Sequence, residues 1–338
     1  MPFFSRNLMP NVPVALVKCV LLATISVAHS QTALPTAYPE RPVKIVVGFP
    51  AGGGTDVFAR AVAQGLSQAL GQPFIVDNKP GAGGVIASQS LLQGPADGYT
   101  LLMGSTSTQA IAPLLYSKRP YAAADFTPIA HIASVGIVLV AHPAAPYSTV
   151  AELVAYAKAR PGQINYASGG NGVTNHLAME LLKSRTGTFM VHIPYRGSAP
   201  ALQDVISGQV PLMFDSIAAS GPQIRAGKVK ALGIAGLLRM EALPGVATLS
   251  EAGTAVGLKD FSTPGWVALY GPKGMPTDAL AKVQTAVARV LATPDLVQRF
   301  AAAGAAAQYM DAATLARYEQ AEIKKWGEAV GYSGARLD

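Results

Sequence analysis

The chain has 338 residues, 50% of them hydrophobic and only 13% charged, with 34 glycines. This composition excludes disorder and leaves room for two domains with sizeable cores. The formal charge of +7 is mild and forms no Lys/Arg stripe, which argues against a nucleic-acid partner and suits small anionic ligands.

Residues 1–30 read as an export signal. Arg6 and Lys18 are their only charged side chains, "CVLLATISVA" (19–28) has h-region length, and Ala28-His29-Ser30 is a small-x-small cleavage pattern. The apolar run is too short to span a bilayer. Cleavage after Ser30 removes Cys19, the single cysteine, so the mature chain is expected to lack disulfides, a thiol nucleophile and thiolate metal ligands. The charge then falls from +7 to +5, because two of the 26 basic residues go and none of the 19 acidic ones.

The first element is the β-branched run Ile45-Val46-Val47, which stops at Phe49-Pro50. Three glycines follow (Gly52, Gly53, Gly54), then Thr55-Asp56, then Phe58, Val62, Leu66 and Leu70 on one helical face. The junction lacks the lysine of a phosphate-cradling loop, and Val57 stands where a dinucleotide fingerprint has its third glycine.

The pattern of strand, polar loop and helix recurs. "PFIVDN" (73–78) leads into "KPGAGG" and a helical stretch from Val85. "YTLLMG" (99–104) leads into "STSTQA" and a helix toward Tyr116. After strand "GIVLVA" (136–141), Thr149 and Glu152 form a capping box for a helix that stops at Pro161-Gly162. "INYAS" (164–168), "FMVHI" (189–193) and "QVPLMF" (209–214) are strands leading into further helices. "WVALYG" (266–271) is the last strand, followed by a helix capped by Thr277 and two shorter helices ending near Val330.

Alternation of this kind predicts mostly parallel sheets with helices on both faces, and right-handed crossovers gather the strand-to-helix loops at one edge. Junctions 52–56, 105–108, 170–174 and 196–199 then look toward one place. Each opens a helix, whose first turn has about four N–H groups without intrahelical partners and a partial positive charge. Several such ends can hold a carboxylate without a buried lysine or arginine. The chain is expected to cross between lobes near 131–136 and return near 253–262, giving lobe 1 from 31–133 plus 254–338 and lobe 2 from 134–253.

Individual side chains carry competing readings. Asp56 caps its helix or accepts from a ligand amine or a bridging water. Asp215, just past a strand, caps the next helix or faces the ligand. His131, His142, His176 and His192 show no metal-ligand spacing, and of these His176 opens a helix at the cleft. His192 alternates within a strand as a structural residue. No G-x-S-x-G elbow occurs, and Ser105, Ser168 and Ser198 have no fixed base. Arg196 is the one basic residue in a binding loop, unless merely solvated. Trp266 packs or walls the pocket.

Six collinear blocks carry a family resemblance: "YPERPVKIVVGFPAGGGTDVFARAVAQGL", "GQPFIVDNKPGAGGVIAS", "PADGYTLLMGSTST", "INYASGGNGVTNHLAMELL", "VHIPYRGSAPALQDVISGQVPLMFD" and "IRAGKVKALGIAG". From about Tyr38 to the C-terminus the chain resembles the solute receptors of tripartite tricarboxylate transporters, the TctC or Bug type. The resemblance implies an α/β, two-lobed periplasmic binding protein of type II topology with its ligand between the lobes. It implies pincer loops built here from Phe49, Ala51, Gly52, Gly53, Thr55 and Asp56, and from Arg196, Gly197, Ser198 and Ala199. Ser105, Thr106, Thr108, Asn171, Thr174, His176, Asp215 and Trp266 complete the implied site. Gln109 and Ala112 depart from the family's usual histidine and polar residue.

The expected protein is a monomeric periplasmic receptor, without catalytic residues, metal or cofactor, that delivers a small carboxylate to inner-membrane subunits of a tripartite transporter. Di- and tricarboxylates, acidic amino acids and aromatic acids are the candidate ligands. The rival readings are an α/β hydrolase-like enzyme on an anionic substrate and a ligand-sensing receptor for a signalling partner.

Overall fold

The computed structural model describes residues 38–337, so the expected export signal and its cleavage site lie outside the described residues. The chain runs β1 (Val43–Val47), α1 (Gly54–Leu70), β2 (Phe74–Asn78), α2 (Val85–Leu92), β3 (Thr100–Ser105) and β4 (Phe126–Val135). It continues through β5 (Ile137–Ala141), α3 (Val150–Ala159), β6 (Asn165–Ser168), α4 (Thr174–Thr186), β7 (Val191–Pro194), α5 (Ser198–Ile206), β8 (Leu212–Ser216), α6 (Ile217–Arg225), β9 (Lys230–Ile234) and the single turn α7 (Leu249–Ala252). The last elements are β10 (Gly265–Pro272), α8 (Thr277–Leu291), α9 (Pro294–Ala302), β11 (Ala305–Met310) and α10 (Ala312–Ser333).

Two sheets result, one ordered β11-β4-β10-β3-β1-β2 and the other β7-β6-β8-β5-β9. Both are mixed, where mostly parallel sheets were expected. Only β1–β2, β1–β3, β6–β7 and β6–β8 run parallel, and the remaining pairs are antiparallel. The reason is the crossing itself. β4 ends at Val135 and β5 starts at Ile137 in the other sheet, with Gly136 N–H donating to the Gly304 carbonyl at 2.8 Å. A Cβ on Gly136 would sit 2.7 Å from that oxygen, so the junction requires glycine. On the way back, Leu258 and Phe261 still pack with the core of the five-stranded sheet, and β10 begins at Gly265.

Strand alternation distributes the core. Val43, Ile45 and Val47 of β1 face a cluster with Phe58, Val62 and Leu66 of α1, Val283 and Val287 of α8, and Phe300 of α9. Val46 faces the opposite cluster, with Leu91, Leu102, Trp266, Trp326 and Leu315. That cluster also includes Leu177 of α4, so α10 rests against both the six-stranded sheet and a helix of the other one. The five-stranded sheet has its own cluster on each face.

Several local expectations change. After β3 the chain forms a π-helical turn, Thr106–Ile111, then a 3-10 turn, Ala112–Leu114; Pro113 lacks the N–H an α-helix would use. Thr149 Oγ1 accepts from Glu152 N–H at 3.1 Å, but Glu152 reaches Ser148 N–H, not Thr149. Pro276, not Thr277, is the N-cap of α8. The final helix is not short: α10 has 22 residues.

Candidate functional site

The loop after β1 is braced by Asp56. Its Oδ2 accepts from Gly52 N–H at 2.9 Å and Arg60 Nε at 2.8 Å, and its Oδ1 accepts from Asn78 Nδ2 at 2.9 Å. Asn78 Nδ2 also donates to the Phe49 carbonyl at 2.9 Å, tying the loop to β2. Burial pushes the Asp56 carboxyl up, but the bonds from Arg60, Gly52 and Asn78 outweigh it and hold the group below its ordinary value. Its three donors all belong to the protein, so its observed work is to shape the turn before α1.

What remains at the start of α1 is uncapped backbone. Gly53 is the N-cap and offers no side-chain bond. The same is true of α5, whose N-cap Gly197 sits at φ 118°, a conformation L side chains avoid. The other helix starts nearby use donors internally. Ser105 Oγ accepts from Thr108 N–H, Ser107 Oγ from Thr174 N–H at 3.0 Å, and Ser216 Oγ from Ala219 N–H. Among the described helix starts that border the cavity below, α1 and α5 are therefore the pair whose N-terminal amides no side chain caps.

These starts surround one cavity of about 90 Å³. It has room for roughly six to nine waters at about 10–15 Å³ each. The six-stranded sheet contributes Phe49, Gly53, Gly54, Thr55, Ser105, Thr106, Ser107 and Trp266, and the five-stranded sheet contributes Gly169, Thr174, Asn175, Ser198, Asp215 and Ser216. Cross-sheet contacts close it. An ideal Cβ on Gly54 would lie 2.3 Å from Ser216 Oγ, and one on Gly197 would lie 2.3 Å from Pro50 Cδ. Ser107 Oγ and Thr174 Oγ1 are bonded at 2.9 Å. Trp266 is fixed as a wall by its indole N–H to Glu322 Oε2 at 3.1 Å and its backbone N–H to Thr106 Oγ1 at 2.8 Å.

Among the described residues lining this cavity there is no lysine, arginine or histidine, and Asp215 is the one charged type. Asp215 lies within β8, paired with Val138, so it does not follow the strand, and Ser216 caps α6 in its place. Burial pushes its carboxyl up to about 6, against opposing bonds from Ser220, the Ser216 N–H and Ser198.

Of the expected site residues, Phe49, Gly53, Thr55, Ser105, Thr106, Thr174, Ser198, Asp215 and Trp266 line the cavity. Asn171, Arg196 and Gly197 line a separate outer recess of about 260 Å³, which shares Phe49 and Gly169 with the inner one. Ala51, Gly52, Asp56, Thr108, His176 and Ala199 line neither. Thr108 is held by Ser105 N–H and carries the Tyr121 hydroxyl on its carbonyl. His176 accepts from Gly172 N–H at 2.9 Å and stacks on His192 with ring centroids 3.9 Å apart. Burial drives both imidazoles down, to about 4 for His176 and about 3 for His192. Asn175 and Ser216 are lining residues that sequence reasoning did not name, and Gly54 and Ser107 fell inside the junctions 52–56 and 105–108 without being assigned to the site. Gly54 and Ser216 each adjoin a residue that was named, and only their mutual contact sets them apart.

The sequence profile described as tripartite tricarboxylate transporter family receptor matches residues 58–334. Three solved structures are similar along nearly the whole of their own chains. Rpa4515 of R. palustris with adipate is 35% identical, with a TM-score of 0.85, covering 89% of this chain and 100% of that one. The periplasmic binding protein BugD is 32% identical, with a TM-score of 0.84 and coverages of 89% and 100%. MatC from Rhodopseudomonas palustris with bound malate is 34% identical, with a TM-score of 0.81 and coverages of 87% and 100%. At these TM-scores the neighbours share this chain's α/β fold, and the family that the profile and BugD represent is one of non-enzymatic solute-binding proteins. The chain belongs to the tripartite tricarboxylate transporter receptor family of the TctC/Bug type.

Proposed function

We propose that this receptor captures a small carboxylate in the cavity between its two sheets and delivers it to the membrane subunits of a tripartite transporter. The observation that carries the reading is the pair of uncapped helix starts, α1 and α5, on a cavity without a basic side chain. Backbone N–H groups and helix dipoles then supply the positive potential that a carboxylate needs. The adipate and malate in two related structures support the ligand class. The cavity's size suits an acid of four to six carbons, by the rough water count given above.

The two sheets with their helices are the lobes, joined near Gly136 and again before Gly265. Ligand bridges them and favours the closed arrangement by population shift. The working pincers are Phe49, Gly53, Gly54 and Thr55 on one side and Gly197 and Ser198 on the other, with Arg196 at the outer recess. The receptor works in the periplasm as a monomer, after cleavage near Ser30.

The test is thermal shift and calorimetry of the ligand-stripped protein against carboxylic acids, with the matching amides as controls. A carboxylate that raises the melting temperature in a concentration-dependent way, where its amide does not, is the expected result. Equal shifts from acid and amide, or no shift across di-, tri- and aromatic acids, would overturn the proposal.

A further inference from the structure

An anion site that holds a buried acid contains a conflict. Asp215 is 2% exposed in a chamber otherwise lined by glycine, hydroxyl, amide and apolar residues. Ser220 Oγ donates to its Oδ2 at 2.7 Å, and the Ser198 hydroxyl and Ser216 N–H also face it.

The surrounding elements bring no compensating charge. β5 has no ionisable residue, and Tyr166 of β6 donates to Glu180. On α4, His176 and Lys183 gather around Glu180, and Arg185 reaches the Lys259 carbonyl. Asp204 of α5 takes the Tyr195 hydroxyl, Arg225 of α6 lies beside Gly221, and Asp56 and Arg60 of α1 pair with each other. None of these groups acts appreciably on Asp215.

A guest carboxylate in about 90 Å³ comes within the roughly 4–6 Å over which like charges suppress each other's ionisation. One proton between the two carboxyl groups turns repulsion into an O–H···O⁻ hydrogen bond of the short, charge-assisted kind. We propose that the receptor takes up its carboxylate guest together with one proton, held at Asp215, so that capture tightens in acid. This inference rests on the carboxylate reading given above. Burial already places Asp215 near the neutral range, and the guest's charge raises it further. The complex then binds more protons than the free receptor. Affinity is full below the free group's titration at about 6. It falls, at most tenfold per pH unit, as pH rises toward the higher value in the complex.

The experiment is calorimetry of the receptor with succinate, malate, glutarate, adipate and nicotinate at about pH 7.2. Paired runs in HEPES and Tris, whose ionisation enthalpies differ, count the protons taken up. The expected result is uptake approaching one proton per guest, with Kd rising about tenfold or more between about pH 6.5 and 8. In Asp215→Asn, whose amide donates where the carboxyl O–H would, both uptake and pH dependence disappear. Binding with no proton uptake overturns the inference alone and leaves the carboxylate reading standing, as does unchanged uptake in the Asn variant. So does a preference for malate over succinate without uptake, which would make Asp215 an ionised acceptor for a guest hydroxyl. Should the Asn variant fail to melt cooperatively, the wild-type proton count decides. If none of the five acids binds, the carboxylate reading falls and this inference falls with it.

Discussion

Gly54→Ala separates closure of the cleft from stability of the fold. The added Cβ would lie 2.3 Å from Ser216 Oγ and 2.8 Å from Ser216 Cβ. Carbon contacts prefer about 3.5–4.0 Å, so rotating the hydroxyl is not enough and β8 or the α1 start must retreat. Overpacking of this degree costs about 1–3 kcal/mol. On the proposed lobe closure that cost falls on the closed arrangement, where the two residues meet, so Kd is expected to rise about 5- to 140-fold at 1.4 kcal/mol per tenfold. The proposed open form is expected to lose little, because Gly54 is the first residue of α1, where the interior preference for alanine over glycine of about 0.5–1 kcal/mol sets an upper bound on the gain. Calorimetry should therefore show weakened binding while the ligand-free melting temperature stays level or rises. Ser216→Gly removes the clashing atoms at a capping cost of only a few tenths of a kcal/mol. Added to Gly54→Ala, it should recover most of the lost affinity in a double-mutant cycle. Wild-type affinity in the single variant refutes the reasoning. So does a ligand-free melting temperature that drops in step with affinity, or a double variant that stays weak.

The remaining predictions concern other contacts. Ser107→Ala leaves the Thr174 N–H, now bonded at 3.0 Å, without its acceptor, at about 1–3 kcal/mol. Affinity measured by calorimetry should fall at least about fivefold, and unchanged binding would remove Ser107 from the closure contacts. Gly197→Ala meets both a φ of 118° and Pro50 Cδ at 2.3 Å, so thermal melts and titrations should show lost stability and lost affinity together, at about 1–3 kcal/mol of strain. Glu319 has a buried oxygen with no partner among the described residues, and burial raises its carboxyl from 4.5 to about 7. The folded state then keeps the proton longer than the unfolded one, so stability is greatest below about pH 4.5 and declines as pH rises through 7, by about 3 kcal/mol in all. Urea unfolding at about pH 5 and pH 8 should show Glu319→Gln gaining on the wild type only at the higher pH; an equal gap at both rejects the assignment.

The β1–α1 junction was legible because three local signals agree there: a β-branched run, a glycine stretch and a 3.6-residue apolar spacing. β4 and β11 were not. "FTPIAHIASV" contains Pro128 and His131, and "AAAQYM" is alanine-rich, so their strand character comes from pairing across the sheet and not from propensity. The strand before Asp215 was ended two residues early, at Phe214 where β8 runs to Ser216, because β8 is extended by its partner β5, far away in sequence. Asp56 and His176 looked available because a sequence does not show which donors fold back on them. Which glycine of the three is sterically locked is likewise not legible: a Cβ on Gly53 meets only the Pro50 carbonyl at 3.4 Å, whereas one on Gly54 runs into Ser216.

Finally, α10 works as a splint. With Leu315 and Trp326 seated in a cluster that also holds Leu177, the lobe motion proposed above would have to drag or slide this rod. Its tail returns to bond Leu337 N–H to the Leu115 carbonyl at 2.9 Å, and Leu337 borders the outer recess. A bulky label attached at Leu337 would therefore sit beside that recess and load the helix that the proposed motion displaces. Biosensor designs should attach at a surface distant from it.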